Sequence, residues 1–321
     1  MKGASQLLVD TGLLEGARSP LLIGPPPEDA STLAETGAEL FFFEEASHAR
    51  AGVGHAGVAP RTGDHDLAVV FHPKGKRRRD YALAVASHAL TEGGRLAIVG
   101  EKREGIGSAK KALKVTAKHS GSHAKLFVGE PRTDLPAQLS EWERRWDTGL
   151  GFEAVSYPGT FAEGRLDDAS GLLLETAALP ETGSLLDLGC GSGVLGLAAK
   201  SRVPALAVTL ADSDHLAVAA TKRGAELAEL EVHALASDAV AKVDGTFDAI
   251  LLNPPFHEGV ATSADVAESV LRGASERLAT GGVLWVVANR FLTHETVLEG
   301  AGLQVDRAAE NGRFKVLRCQ R

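Results

Sequence analysis

Apolar and polar positions alternate in short blocks along the second half of the chain, and their periods separate strands from helices. Residues 184–188 form an apolar block that runs into Asp187-Leu-Gly-Cys-Gly-Ser-Gly193, and 194–200 continues with helical spacing. Strand-like blocks recur at 206–211, 232–236, 247–252, 283–288 and 314–317, with helical spacing at 215–227 and 265–279. Alternation of this kind predicts a doubly wound, mostly parallel α/β sheet.

The first half carries a fainter copy of the same pattern. Asp66 to Pro73 lines up with Asp248 to Pro254 after a one-residue shift, 91–99 with 280–287, and 40–44 with 208–212. Such self-similarity predicts two tandem copies of one α/β fold. The copies differ at one telling place. Where the second has its glycine run, the first has Ile23-Gly-Pro-Pro-Pro27. Three prolines cannot make a turn that lets a ligand approach the backbone, so the first copy reads as degenerate. The expected division is 1–135 for that copy, 136–160 for a connecting segment and 161–321 for the second copy. Trp142 and Trp146 in the connector argue for a packed segment, because aromatic side chains of that size favour burial.

Composition narrows the class. The 321 residues leave room for two domains, and 44% apolar with 24% charged residues indicates a globular chain. No apolar run is long enough for a bilayer, and the stretch MKGASQLLVDTGLLEG lacks a signal-peptide layout. Cys190 and Cys319 offer no disulfide framework, so a reducing cytoplasm is expected. No Cys/His cluster has zinc-ligand spacing, and no metal is expected. The net charge of −8 is unevenly spread: residues 1–135 carry +2 and the remainder −10. Lys74-Gly-Lys76-Arg77-Arg78-Arg79 is a dense basic run, and Lys102, Arg103, Lys110, Lys111, Lys114, Lys118 and Lys125 follow it. Two readings stand side by side, a solvated face and a phosphate-contacting surface.

The glycine run suggests the cofactor. Its spacing is G-x-G-x-G, not the G-x-G-x-x-G of dinucleotide binders, and an acid precedes it. Asp187 before Gly189, Gly191 and Gly193 suits a cationic ligand without phosphate, which points to S-adenosylmethionine. Asp212, about twenty residues on, stands where a carboxylate accepts ribose hydroxyls. Asp238 ends the third predicted strand, where an adenine edge would lie. Asp214 and Asp238 also read as helix N-caps.

The reacting group is expected in Leu252-Asn253-Pro254-Pro255-Phe256-His257-Glu258-Gly259. Proline lacks an N–H, so this elbow is rich in acceptors. Asn253 Oδ1 and the Pro254 carbonyl can each accept one hydrogen of a planar NH₂, and Phe256 can stack on the ring that bears it. His257 and Glu258 are not assigned as catalysts.

At this point the chain resembles a known family, the ribosomal RNA small-subunit methyltransferases C. The resemblance rests on 158–174 (PGTFAEGRLDDASGLLL), LLDLGCGSGVLGL, LLNPPFHEG, GGVLWVVANRFL and GRFKVLR in that order, with Val99-Gly-Glu-Lys-Arg-Glu-Gly105 in the first half. It covers most of the chain. The resemblance implies two tandem Rossmann-like methyltransferase domains, the first catalytically lost and serving folding and RNA binding. It implies methylation of guanine N2 in ribosomal RNA, 16S ahead of 23S, since the large-subunit guanine methyltransferases share the layout. By position it gives the cofactor loop to Gly189, Gly191 and Gly193, the ribose to Asp212, and the amine and base to Asn253, Pro254 and Phe256. Asn253 also borders the cofactor, and some members have Asn at the position of Asp238. Phe161 and Arg165 would belong to a lid. The run Lys74–Arg79 is more basic than the family pattern, and with Lys102 and Arg103 it is the expected RNA contact. The motif serves any planar amine, so adenine N6 in nucleic acid and a protein glutamine remain alternatives. A non-catalytic RNA-binding assembly factor is a reading of another class, and a nicotinamide oxidoreductase a more distant one.

Overall fold

The computed structural model describes residues 1–254 and 261–321. The chain divides into two compact units, Met1–Glu143 and Arg144–Arg321. The first unit opens with α1 (Gly3–Asp10) and continues as β1 (Pro20–Ile23), α2 (Ala30–Ala34), β2 (Glu39–Phe42), α3 (Glu45–Ala51), β3 (His55–Ala56), β4 (His65–Phe71), α4 (Lys76–Ala89) and β5 (Leu90–Glu101). It closes on the hairpin β6 (Val115–Gly121) and β7 (Ala124–Gly129). The second unit opens with the antiparallel pair β8 (Arg144–Asp147) and β9 (Glu153–Ser156), then α5 (Asp168–Thr176). β10 (Gly183–Leu188), α6 (Val194–Arg202), β11 (Leu206–Asp212), α7 (His215–Leu227), β12 (His233–Ala236) and β13 (Phe247–Leu252) follow. It ends with α8 (Ala261–Glu276), β14 (Leu278–Asn289), α9 (His294–Gly300), β15 (Gln304–Glu310) and β16 (Phe314–Gln320).

The expected tandem architecture is present. The seven-stranded sheets have one order, β3-β2-β1-β4-β5-β7-β6 and β12-β11-β10-β13-β14-β16-β15. All neighbours pair in parallel except that β7 and β16 run antiparallel to both of theirs. Strand periodicity explains the three-layer packing of the second unit. Leu185, Ala249, Leu251 and Val287 face α5 and α6, while Leu186, Ile250, Leu252 and Val286 face α8 and α9. The segment 136–160 is split between the units. Trp142 packs edge-on against Tyr81 in the first at 5.5 Å, and Trp146 is buried in the second with its indole N–H donated to Ser156 Oγ at 3.0 Å.

Two strands escape the hydrophobic pattern. β6 is exposed along nearly its whole length, and β15 shows no buried residue. Both are outer edge strands of antiparallel pairs. Such a strand is only partly covered, with Val305 and Ala309 of β15 reaching the core, so little imposes the apolar alternation that marks the others.

Pairing register gives an exact-position comparison of the two sheets. Ile23 pairs with Phe41 and Val70, and Leu188 with Ala211 and Leu252. Gly24 and Gly189 each donate their N–H to the neighbouring strand, to Phe41 and Ala211, at 2.8 Å. Leu22 therefore matches Asp187, Phe42 matches Asp212, and Phe71 matches Asn253. The sequence alignment that set Glu44 beside Asp212 is displaced by two residues, because both Glu44 and Asp214 are helix N-cap positions. The repeat also reaches further back than the sequence reading took it. α1 and α5 pack on equivalent strands, and Ala4-Ser5-x-Leu7-Leu8 matches Ala169-Ser170-x-Leu172-Leu173.

An aspartate staples the amino end of each sheet. Asp66 accepts the backbone N–H groups of Arg18 and Ser19, each at 2.9 Å. Asp248 accepts the Ser184 N–H at 2.8 Å and its hydroxyl at 2.9 Å. The Arg18 and Ser184 N–H groups in particular hold these carboxyls below the usual aspartate value. Such a group stabilises the fold above the unfolded value and loses that contribution as pH falls through the lowered one. Asp66→Ala and Asp248→Ala should each cost at most about 1 kcal/mol at pH 7, with the penalty shrinking below about pH 4. Thermal unfolding of each variant at pH 7 and pH 3 checks this.

Candidate active site

Parallel pairing brings three strand ends of the second unit into one row. Asp187 pairs with Leu210 and Leu251, and Leu188 with Ala211 and Leu252. The residues that come next, Gly189, Asp212 and Asn253, leave the sheet side by side.

Gly189, Gly191 and Gly193 all adopt left-handed backbone, with φ of 72°, 57° and 78°. Gly193 is doubly constrained, because a Cβ there would lie 2.8 Å from the Thr221 side chain. A Cβ on Gly189 would meet open space, so this part of the loop offers bare backbone to a ligand. Asp212 pins the loop. Its Oδ2 accepts the Gly191 N–H at 2.8 Å, and its Oδ1 accepts the Asp214 N–H at 2.9 Å. Asp214 in turn caps α7 by accepting the Leu216 N–H at 3.0 Å.

Asp187 is wholly buried under the loop. Its Oδ2 accepts the Gly196 N–H at 2.8 Å, while Oδ1 has no hydrogen-bond partner among the described residues. Burial pushes its carboxyl up to about 7 against the pull of the Gly196 N–H, and the charge of Asp212 pushes the same way. Burial also holds the Cys190 thiol well above its ordinary value, so Cys190 fills space without becoming a nucleophile.

Asn253 is half-buried at the end of β13. Its Nδ2 donates to Ser170 Oγ at 3.0 Å and to Asp167 Oδ2 at 3.2 Å. Its Oδ1 is buried and without a partner among the described residues. Asn253, Gly189, Ser192, Asp167, Phe161 and Arg165 line one narrow cleft of about 30 Å³, enough for roughly one water. Phe161, 59% exposed, stands in that wall, which a ligand of nucleoside size has to displace.

The remaining predicted residues lie as follows. Pro254 is buried beside Asn253, and Phe256 lies outside the described residues. Asp238 lines a different hollow, of about 630 Å³, with Glu268 and Arg272. The basic run is mostly structural. Arg78 and Arg79 are buried; Arg78 lies 4.5 Å from the centroid of the Phe43 ring, and Arg79 pairs with Asp80 at 2.7 Å. Arg77 donates to the Trp142 carbonyl at 2.7 Å. The expectation that these three arginines present charge to a phosphate backbone is thus corrected: the first turn of α4 uses their guanidinium groups internally. Lys74, Lys76, Lys102 and Arg103 are exposed. Asp167 and Ser170 were given no role from sequence, although the Ala-Ser-x-Leu-Leu repeat in the two units marks their helix. Among the described residues no cluster of His, Cys, Asp and Glu could hold a metal, and no helix is long and apolar enough to cross a membrane.

Comparison with known proteins agrees with this geometry. Residues 151–318 match the family model described as methyltransferase small domain, and 21–146 match its N-terminal counterpart. The ribosomal RNA small subunit methyltransferase C of Hahella chejuensis is 34% identical over 324 residues, covering 94% of each chain. That of Pseudomonas fluorescens is 37% identical, covering 84% of this chain and 83% of its own. The solved T. thermophilus 16S rRNA N2 G1207 methyltransferase, in complex with AdoMet and guanosine, superposes with a TM-score of 0.80. It is 27% identical and covers 95% of this chain and 94% of its own.

The unpartnered Asp187 oxygen and the bare backbone at Gly189 fit a cationic ligand such as S-adenosylmethionine. An aspartate raised to about 7 weakens the fold progressively from about pH 4 up to that value, because the unfolded chain ionises first. A bound cation favours the ionised form, so binding should release a proton near pH 6.5 and tighten as pH rises to just above 7. Calorimetry in buffers of different ionisation enthalpy measures that release, and Asp187→Asn should abolish it.

Proposed function

The chain belongs to the methyltransferase small domain family, and from that premise we propose that it transfers a methyl group from S-adenosylmethionine to the exocyclic N2 amine of a guanine in ribosomal RNA, 16S ahead of 23S. One observation carries this reading: the side-chain oxygen of Asn253, a residue that lines the cleft with the glycine loop, is buried and has no partner among the described residues. A free acceptor held there is what a planar NH₂ requires.

Asn253 Oδ1 takes one hydrogen of the amine and the Pro254 carbonyl the other, which draws the nitrogen toward sp³ geometry and orients its lone pair. Phe256 stacks on the base. Gly189, Gly191 and Gly193 let the cofactor lie against backbone, and Asp187 balances its positive charge. Asp212, fixed by the Gly191 and Asp214 N–H groups at the end of β11, is the carboxylate placed for the ribose hydroxyls. Asp238, two residues past the end of β12, lines the separate hollow with Glu268 and Arg272 and is given no part in holding the cofactor. Bound against Gly189, Gly191 and Gly193, S-adenosylmethionine would supply a sulfonium methyl to the amine nitrogen that Asn253 and Pro254 orient, leaving as the neutral thioether while the amine gives up one proton.

The first unit serves as an RNA-docking and folding partner in this reading. Its strand-end row has Leu22, Phe42 and Phe71 in place of Asp187, Asp212 and Asn253, which removes every polar group the cofactor and amine would use. Docking falls to its exposed cations, Lys74, Lys76, Lys102 and Arg103, with Lys110, Lys111 and Lys118 beside the exposed β6 strand. The substrate is then a ribosomal RNA or subunit in the cytoplasm.

Asn253→Ala should lower kcat about ten- to hundredfold, the rate equivalent of an unpaired amine at ~1–3 kcal/mol. Its affinity for S-adenosylmethionine should stay within about threefold of wild type. Tritium transfer into ribosomal subunits reads the first and calorimetry the second. Digestion of the product should place the label in N2-methylguanosine; label in adenosine or protein overturns the substrate. Neutralising Lys102, Arg103 and Lys118 together should raise KM for RNA, flatten its salt dependence and leave kcat unchanged.

A further inference from the structure

We infer that Asp167 and Ser170 are positioning residues that lock the Asn253 amide with its nitrogen held by both of them and its oxygen left without a partner among the described residues, as the acceptor for the substrate amine. The inference rests on the amine-holding role of Asn253 given above. An asparagine side chain presents an acceptor on one side and donors on the other, and rotation about its last torsion exchanges them. Presented the wrong way round, Asn253 would set an NH₂ against the substrate NH₂. Hydrogen bonding has to decide between the two orientations, and here it does.

Asp167 decides it chemically. Its carboxylate only accepts, so the atom of Asn253 that lies 3.2 Å from Oδ2 has to be the nitrogen. The carboxylate is itself immobilised, because Oδ2 also accepts the N–H groups of Ala169 and Ser170, each at 3.1 Å, as the N-cap of α5. Ser170 Oγ accepts from the second hydrogen of the same nitrogen at 3.0 Å. With both amide hydrogens engaged, Oδ1 stays buried and unpaired among the described residues. An unpaired buried acceptor is ordinarily costly. It persists when surrounding bonds enforce it, and an acceptor aimed before the substrate arrives needs no reorganisation.

The first unit supplies an internal control. Its α1 is the counterpart of α5 and keeps the serine, Ser5, at the third helical position. Its N-cap is Lys2, with no side-chain cap bond, and the strand position of Asn253 is Phe71. Ser5 Oγ is buried and has no partner among the described residues. The carboxylate and the amide it orients are absent together, while the helix and its serine remain.

The test uses Asp167→Asn, which keeps the cap and the volume but offers either face of an amide to Asn253. Expected is a fall in kcat of about tenfold or more, with KM for RNA, cofactor affinity and Tm near wild type. Ser170→Ala should fall less. Binding offers a second readout without the cofactor: calorimetry with guanosine and with inosine, which lacks the N2 amine. Wild type should prefer guanosine, and D167N should narrow that preference. A swapped pair completes the set. N253D alone puts two carboxylates about 3 Å apart, whereas D167N/N253D lets the amide at 167 donate to the carboxylate at 253. The double variant should recover at least about tenfold over N253D alone. Wild-type kcat and guanosine preference in D167N, or a double variant no better than N253D, overturns the clamp. A parallel loss of Tm and cofactor affinity in D167N also overturns it, reducing Asp167 to a helix cap. If wild type labels no guanine N2, the function itself falls first, and that result is read from wild type alone.

Discussion

Register between parallel strands is the constraint on which the rest of the catalytic unit depends. Because Leu188 pairs with both Ala211 and Leu252, three chain segments far apart in sequence leave the sheet at one level. A loop, a carboxylate and an amide then emerge within reach of one cleft. A slip of one residue in any of the three would turn the emerging side chain to the opposite face. The apolar alternation that buries Leu185 against one helical layer and Leu186 against the other is what forbids that slip. Packing thus fixes chemistry at its edge: the hydrophobic core sets where polar atoms point without touching the substrate.

The same frame, emptied of its polar atoms, makes the first unit. The strand order, the antiparallel hairpin at one side, the aspartate staple and the leading helix are all retained. What differs is concentrated in the strand-end row, where leucine and two phenylalanines replace two aspartates and an asparagine. The first unit's long helix α4 uses Arg78 and Arg79 as packing groups, one over an aromatic ring and one against a carboxylate.

Much of this was legible in sequence, for reasons that differ by residue. Strands covered on both faces announce themselves as apolar blocks, so 184–188, 206–211 and 247–252 coincide closely with β10, β11 and β13. Edge strands β6 and β15 are only partly covered and left no such trace. The glycine loop was visible because left-handed backbone selects glycine, as at Gly193. The misplacement of Glu44 beside Asp212 arose because an acid at a helix cap and an acid at a strand end look alike without register. Charge counting misjudged Arg77, Arg78 and Arg79, since composition does not reveal which guanidinium groups meet partners inside the fold. The orientation of the Asn253 amide was beyond sequence altogether, as it is set by Asp167 and Ser170, more than eighty residues earlier in the chain.

Leucine and phenylalanine in the first unit's row have a thermal corollary. The catalytic copy retains a buried aspartate poised near neutrality and two acceptor atoms left unsatisfied, all liabilities in the absence of ligand. At the matching positions its twin has hydrocarbon instead. On heating without ligand, that strand-end row is a weak point of the catalytic copy, and a cation held there would restore the margin it lacks when empty.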